Sequence, residues 1–463
     1  MKLKFLGASG TVTGSCYLLT TDSASVMIDF GSFQGGRHLQ SLNRTLPVID
    51  FSRLSAVLLT HAHNDHTGRL PLLLKAGFSG SIHATEPSID LTSLILKDSA
   101  KVQAYDMERI NRKRERAGEE PYKPLYNAED VERILSFFKP VIFNHYFQVV
   151  KGITARYIEA GHMLGSASIE VVAEENGQKK RVIFSGDIGP KGVPYLRDPE
   201  TFETADVVVM ESTYGDRDHK PLAATLVEFK GIISKVVERG GKIIVPSFAI
   251  GRTQQIIYHL AAFFKEGSFP RFPVYVDGPM ALEANRIYAR HSEIFDAEAQ
   301  ALLKSHELQD AFASVKTAQT AEQSRAINGI SGPCMIIAGA GMCNAGRVLH
   351  HLKQNLWKSE NAVVIVGFQA EGTLGRLLVD GEPVVKIMNE PIAVKASVHT
   401  LSGFSAHAGQ TELLQWFQPL ANDKPRVFLT HGESRPRAAL AREFNNKYGL
   451  NPILPVLDQE VEI

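Results

Sequence analysis

The sequence predicts an α/β protein of two interleaved units. One unit, residues 1–205 and 396–463, carries a metal site. The other, residues 206–395, is an α/β unit inserted into it. Three observations carry this reading. The first is the stretch Thr60-His61-Ala62-His63-Asn64-Asp65-His66-Thr67-Gly68, which places three histidines and an aspartate between a strand-like run and a helix-like run. The second is a regular strand–helix alternation from residue 205 to 395, the pattern of a parallel sheet covered by helices. The third is the return of histidines at the end of the chain, at His399, His407 and His431.

Composition bounds the rest. The 463 residues are 44% hydrophobic and 22% charged, as in a globular chain with a substantial core. Lys+Arg and Asp+Glu are both 50, so the surface is not a general polyanion-binding coat, although a local basic groove is compatible with this balance. The three cysteines, Cys16, Cys334 and Cys343, form no C-x-x-C pair. Any metal site must then be built from His and Asp, and a reducing compartment is expected. The apolar run at the start ends at Gly7, too short for a signal peptide, and no run is long enough to cross a bilayer. A soluble, cytoplasmic protein is expected, with a homodimer left open.

Residues 1–60 read as short strands: Lys2 to Leu6, Ser15 to Thr20, Ser25 to Phe30 and Ser55 to Leu59. Gly7, Gly10 and Gly14 do not have G-x-G-x-x-G spacing, so dinucleotide binding is not indicated. Gly68 to Lys75 reads as a helix stopped by Gly77. The turn between strand and helix gathers His61, His63, Asp65 and His66. Two imidazoles one residue apart can share a metal, and the Asp-His pair beyond them faces another way and can hold a second. Imidazole and carboxylate suit a borderline ion such as zinc. Residues 87–139 are expected to be helical, with interleaved acidic and basic residues marking a solvated face.

Residues 141–187 return to strands. His162 follows the strand Thr154 to Ala160, and Asp187 follows the strand Arg181 to Phe184. Together they supply a third ligand for the first metal and a carboxylate able to bridge two metals. In the inserted unit, strands are expected at Asp206 to Met210, Lys242 to Pro246, Val274 to Asp277, Cys334 to Ala338 and Ala362 to Gly367. Helices are expected at Ala223 to Arg239, Thr253 to Lys265, and Ala281 to Ser292 or beyond. Glycine-bearing turns follow three of these strands. They offer Ser247, Gly341 and the arginines Arg252, Arg347 and Arg376 as contacts to phosphate. His431 follows the strand Arg426 to Thr430 and reads as the third ligand of the second metal. His407, before the helix Thr411 to Phe417, is left without a metal, and His399 reads as structural.

These residues resemble the metallo-β-lactamase superfamily, and within it the β-CASP nucleases, over nearly the whole chain. His-x-His-x-Asp-His is the superfamily signature. Glu211-Ser212-Thr213-Tyr214-Gly215-Asp216, Ser405-Ala406-His407 and Leu429-Thr430-His431-Gly432-Glu433 are similar to the branch's three added motifs. The histidine in the last resembles RNA-directed rather than DNA-directed members. The resemblance implies an αββα sandwich with a β-CASP insert, two zinc ions, Asp29 as a carboxylate that orients a ligand, and Glu211 as the support of a catalytic histidine. It also implies hydrolysis of single-stranded RNA held in a cleft. On this resemblance Asp65 is expected in the metal machinery, and His407 is expected to donate a proton to the leaving oxygen. Two positions depart from the family pattern: Gly409 and Ala340 replace an aspartate and a serine. A compact form, without the long C-terminal extension of the RNase J branch, is expected. A thioester hydrolase, a DNA-directed nuclease and a silent scaffold are the competing expectations.

Overall fold

The computed structural model describes residues 1–194, 196–295, 300 and 315–463, which form two compact units. The first comprises residues 1–193, 197–218 and 407–463. Its first sheet contains β1 (Lys2–Phe5), β2 (Tyr17–Thr20), β3 (Ser25–Ile28), β4 (Leu54–Leu58), β5 (Ser81–Thr85), β6 (Phe138–Val141) and the last strand, β21 (Glu460–Glu462), in the order β21-β1-β2-β3-β4-β5-β6. Its second sheet contains β7 (Phe147–Val150), β8 (Ile153–Glu159), β9 (Ala167–Glu175), β10 (Gln178–Phe184), β11 (Val207–Glu211) and β20 (Arg426–Thr430), in the order β20-β11-β10-β9-β8-β7.

Alternating apolar side chains explain the stacking of the sheets. Leu3, Phe5, Leu19, Val26 and Ile28 of the first sheet meet Ile153, Ala155, Ile169, Val171 and Phe184 of the second in one core. The opposite faces are covered by helices. Leu96 and Ala100 of the helix Glu86–Arg116, with Val131 and Ile134 of the helix Ala128–Leu135, pack on Leu18, Met27 and Val57. Leu413 and Phe417 of the helix Gln410–Phe417, with Leu440 and Phe444 of the helix Ser434–Tyr448, pack on Ile183, Val208 and Leu429. The layer order is helix, sheet, sheet, helix.

The second unit, residues 194–196 and 219–406, is a parallel sheet. Its strands are β12 (Lys242–Pro246), β13 (Val274–Asp277), β14 (Val315–Ala318), β15 (Cys334–Ala338), β16 (Ala362–Ile365) and β19 (Ser397–Thr400), in the order β14-β13-β15-β12-β16-β19. Helices cover both faces, and a separate hairpin pairs β17 (Val384–Ile387) with β18 (Glu390–Ala393).

The structure moves several predicted boundaries. β11 pairs in parallel with β10 and β20, so it belongs to the first unit. β19 extends the sheet of the second. Both lie across the edges predicted for the insert, because strand partners are set by long-range pairing that composition does not reveal. Residues 87–139 are not uniformly helical: the tail Phe138–Val141 is an edge strand beside β5. The helix predicted at Gly68 to Lys75 is two short ones, Asn64–Thr67 and Leu72–Lys75, with Pro71, which has no N–H to donate, opening the second. The helix predicted at Ala281 to Ser292 or beyond is Pro279–Arg290, and any continuation past Phe295 falls largely on residues outside those described. The three cysteines are buried and unpaired.

Candidate metal centre

The site is assembled at the ends of strands in the first unit. β4 delivers Thr60 and His61, and the short helix after it carries Asp65 and His66. The loops after β8, β10 and β20 deliver His162, Asp187 and His431. Two donor sets result, each able to hold a cation: His61, His63, His162 and Asp187, and Asp65, His66 and His431. Four donors in a tetrahedron at zinc–nitrogen distance lie about 3.3 Å apart. In the first set His63 Nδ1 is 3.1 Å from both His61 Nε2 and His162 Nε2. Both of those nitrogens are 3.6 Å from Asp187 Oδ2. In the second, His431 Nε2 is 3.6 Å from Asp65 Oδ2. Asp187 Oδ1 reaches this set too, 3.4 Å from His66 Nε2. One carboxylate therefore offers an oxygen to each set.

The far sides of the rings fix which nitrogen points inward. His66 Nδ1 donates to Asp29 Oδ2 at 2.7 Å. His61 Nδ1 is 3.1 Å from Thr60 Oγ1, and His431 Nδ1 is 3.1 Å from Thr213 Oγ1. Thr60 Oγ1 donates onward to Asp29, and Thr213 Oγ1 donates to the His431 carbonyl, so each hydroxyl has a lone pair for the ring N–H. With Nδ1 protonated, Nε2 presents a lone pair to a metal. Three buried atoms there lack a hydrogen-bond partner: His66 Nε2, His431 Nε2 and Asp187 Oδ1. Buried polar atoms without partners are costly, and a divalent cation satisfies all three. The donor set fits zinc.

The electrostatics agree. Burial holds His61 well below the ordinary imidazole pKa and brings His63 down to about 4, so both are neutral, as ligands must be. Burial opposes the charge on Asp187, but His431, His66 and His407 outweigh it and keep its carboxyl well below the usual range. Burial likewise works against a His66 cation, but Asp187 and Asp29 raise its pKa well above normal, so these carboxylates call for positive charge at this spot.

Asp29 ends β3 in a left-handed conformation, φ 59°. It accepts from Thr60 N at 2.8 Å, Thr60 Oγ1 at 2.9 Å and Ser15 Oγ at 3.2 Å as well as from His66. Glu211 ends β11. Its Oε1 accepts from Ile188 N at 2.7 Å and lies 3.2 Å from His407 Nδ1. Its Oε2 accepts from Thr213 N at 3.2 Å. Burial opposes a charged His407, but Glu211 and Asp187 raise its pKa. His407 Nδ1 also comes within 3.9 Å of Asp187 Oδ2, and Asp187, His407 and His431 form a third, overlapping group. Ser15, Thr60 and Thr213 were missed by sequence reasoning. The matched Thr-His pairs at Thr60-His61 and Thr430-His431 were a visible signal for the first, whereas Thr213 depends on a contact 218 residues away.

In the second unit the three glycine-bearing turns come together. They leave the carboxyl ends of the adjacent strands β15, β12 and β16. Crossovers from β12 and β15 depart in opposite directions and onto opposite faces, the arrangement that opens a crevice in a parallel sheet. Ser247 is buried, its Oγ donating to Phe248 O at 3.1 Å. A Cβ on Gly341 would lie 2.8 Å from the Phe248 ring, so only glycine lets these two loops approach. Gln369 Nε2 ties the third loop to Gly341 O at 3.0 Å. The arginines differ from expectation. Arg347 is engaged by protein acceptors: Asp277 Oδ1 at 2.6 Å, Ala318 O at 2.8 Å and Gln319 O at 2.7 Å. The ion pair gives Asp277, a fully buried carboxylate at the end of β13, a cationic partner. Arg252 is buried and donates to Gln255, and Arg376 Nε is shared between the two oxygens of Asp380 at 2.9 and 3.0 Å.

Fold and donor set together define a metal-dependent hydrolase. Three domain families match the chain: the metallo-beta-lactamase superfamily at residues 9–228, the Beta-Casp domain at 253–378, and the Zn-dependent metallo-hydrolase RNA specificity domain at 391–455. A Thermus thermophilus protein named Ribonuclease TTHA0252 is 38% identical over 442 residues, covering 96% of this chain and 95% of that protein. Two proteins named Transcription termination factor FttA are each 29% identical to this chain. The one from Methanosarcina mazei aligns over 96% of this chain and 69% of its own length, and the one from Cenarchaeum symbiosum over 100% and 71%. The chain belongs to the β-CASP family of the metallo-β-lactamase superfamily: a metallo-β-lactamase domain with an inserted Beta-Casp domain. Among the described residues no helix is long and apolar enough to cross a membrane.

Proposed function

We propose that this protein is a two-zinc ribonuclease that hydrolyses phosphodiester bonds in single-stranded RNA. The observation that carries the proposal is a pair of donor sets joined by one carboxylate, Asp187, beside a histidine held by Glu211. The matched RNA specificity domain and the ribonuclease-named relative supply the substrate class. His61, His63 and His162 would hold one ion and Asp65, His66 and His431 the other, with Asp187 offering an oxygen to each set. Bound zinc supplies Lewis acidity, which activates water near neutral pH and balances charge on phosphoryl oxygens.

The remaining chemistry belongs to the side chains. Asp29, Thr60 and Thr213 keep the ligand rings in the orientation and tautomer that metal binding requires. Glu211 accepts the Nδ1 proton of His407 and so directs the other ring nitrogen, Nε2, to proton transfer. Burial works against a charged ring, but the Glu211 carboxylate raises the pKa of His407 and so favours the protonated form that a donor to the departing 3′ oxygen requires. In the inserted domain, the Ser247, Gly341 and Arg376 loops offer N–H groups, a hydroxyl and a guanidinium to the RNA backbone, with Arg252 at the head of the helix after β12. Arg347 serves by holding the end of β13 in place.

End-labelled single-stranded RNA, 5′-blocked and unblocked, incubated with and without chelator beside a thioester substrate, tests the proposal. Chelator-sensitive RNA cleavage is expected, and the blocked substrate separates internal from 5′-end attack. Thioester hydrolysis with no RNA cleavage overturns it.

A further inference from the structure

Glu412 lies five residues after His407, in the first turn of the helix Gln410–Phe417. A glutamate there commonly accepts the N–H that opens the helix, and Glu412 does so: Oε2 accepts from Gly409 N at 3.2 Å. Its second oxygen does something a cap does not need. Oε1 accepts from Lys191 N at 3.1 Å, a residue 221 positions away and four beyond Asp187. Beside it, Ala408 N donates to Ile188 O at 2.7 Å, and Ile188 N donates to Glu211 Oε1 at 2.7 Å. That glutamate oxygen is the one facing His407 Nδ1. The bonds close a ring through His407, Ala408, Ile188 and Glu211, and Glu412 fastens its outer edge to both segments. Gly409 has no side chain with which to do this itself.

We infer that Glu412 is a positioning residue for His407. It locks residues 407–409 against residues 187–191, so the imidazole keeps its place against Glu211 while it delivers a proton. The inference rests on the reading of His407 as proton donor. Other groups around this joint, Asp187, Glu211 and Thr213, are already committed to the metal centre or to His407. Both oxygens of Glu412 accept from backbone N–H groups, and neither of these bonds is to a proposed metal ligand.

The test compares Glu412→Gln and Glu412→Asp with His407→Ala in the zinc-loaded protein. The substrates are single-stranded RNA and bis(p-nitrophenyl) phosphate, whose leaving group needs no proton. Glutamine keeps one acceptor but turns an NH2 toward the other backbone N–H, and aspartate is too short to span both amides. The expected result is a fall in kcat on RNA of about tenfold or more at unchanged KM and zinc content. The fall on the nitrophenyl ester is expected to be clearly smaller, and Glu412→Gln adds little to His407→Ala. Equal falls on both substrates, a full additional fall in the double variant, or wild-type RNA cleavage by both Glu412 variants overturns the inference. RNA cleavage surviving His407→Ala overturns the donor reading itself. A disabled His407→Ala beside fully active Glu412 variants removes only the positioning role.

Discussion

At the scale of single residues, Asp187 faces opposing demands. It is almost wholly buried, which disfavours its charge, yet imidazoles from four separate loops and one helix surround it. Asp187→Ala removes the carboxylate that offers one oxygen to each donor set, so loss of bound zinc and of RNA cleavage together is expected, measured by metal analysis and a gel assay. His407→Ala is expected to keep its zinc and lose about 10²–10⁴-fold in rate. Zinc loss in that variant would reassign His407 as a ligand, which the overlapping group Asp187, His407 and His431 makes a meaningful control. Asp29 acts one bond further out. Asp29→Asn preserves shape but weakens the acceptor for His66 Nδ1, and about 10–100-fold weaker zinc binding is expected by competition with a chelator.

At the scale of elements, the metal turn is held by backbone bonds against the segment after β3 and against Ser15 ahead of β2. Phe30 N donates to His66 O at 2.8 Å, Ser32 N to Asn64 O at 2.9 Å, and Ser15 N to Asp65 O at 2.8 Å. Arg69, buried between Phe30 and Phe33, donates Nε to Gly31 O at 2.6 Å. This approach is possible because residue 31 is glycine: a Cβ there would lie 1.5 Å from Asp65 O. Backbone, unlike the end of a long side chain, cannot step aside. Gly31→Ala is therefore expected to displace Asp65 and His66, cost about 1–3 kcal/mol of stability and lower zinc occupancy. Urea unfolding and metal analysis of one preparation check both effects. Native stability and full zinc would show that the turn tolerates more movement than these contacts allow.

At the scale of the whole molecule, stability is linked to metal and to pH. A ligand that binds only the folded state at a thousand times its dissociation constant adds about 4 kcal/mol. Chelation is therefore expected to lower the melting temperature, and zinc to restore it. Glu159, at the end of β8, gives a separate handle. Burial pushes its pKa up to about 8 from an ordinary 4.5. Between those values the folded protein holds a proton that the unfolded chain releases. The stability due to this group is full below pH 4.5 and is lost as pH rises to about 8. Glu159→Gln abolishes that loss and can still accept the bond from Gly161 N. Its melting temperature relative to wild type is expected to climb from pH 5 to pH 8, and a flat difference would refute the assignment.

The sequence by itself determined most of the elements and the side-chain types that gather at the site. Strands such as Lys242–Pro246, Cys334–Ala338 and Arg426–Thr430 were legible because local apolar runs end at glycine, proline or polar residues. The donor residues were legible because metal chemistry restricts which side chains can occupy a turn. What only the tertiary structure decided is who meets whom. β11 belongs with β20, more than two hundred residues away, and Phe138–Val141 is a strand only because β5 has an open edge beside it. That Arg347, read from sequence as a phosphate contact, is also bonded to Asp277 depends on the fold alone. Thr213, Ser15 and Glu412 carry no signal of their own, since a hydroxyl or carboxylate acquires a role from the partner the fold brings within 3 Å or so. Local pattern encodes propensity and donor type. Distance between remote residues depends on packing the whole chain at once.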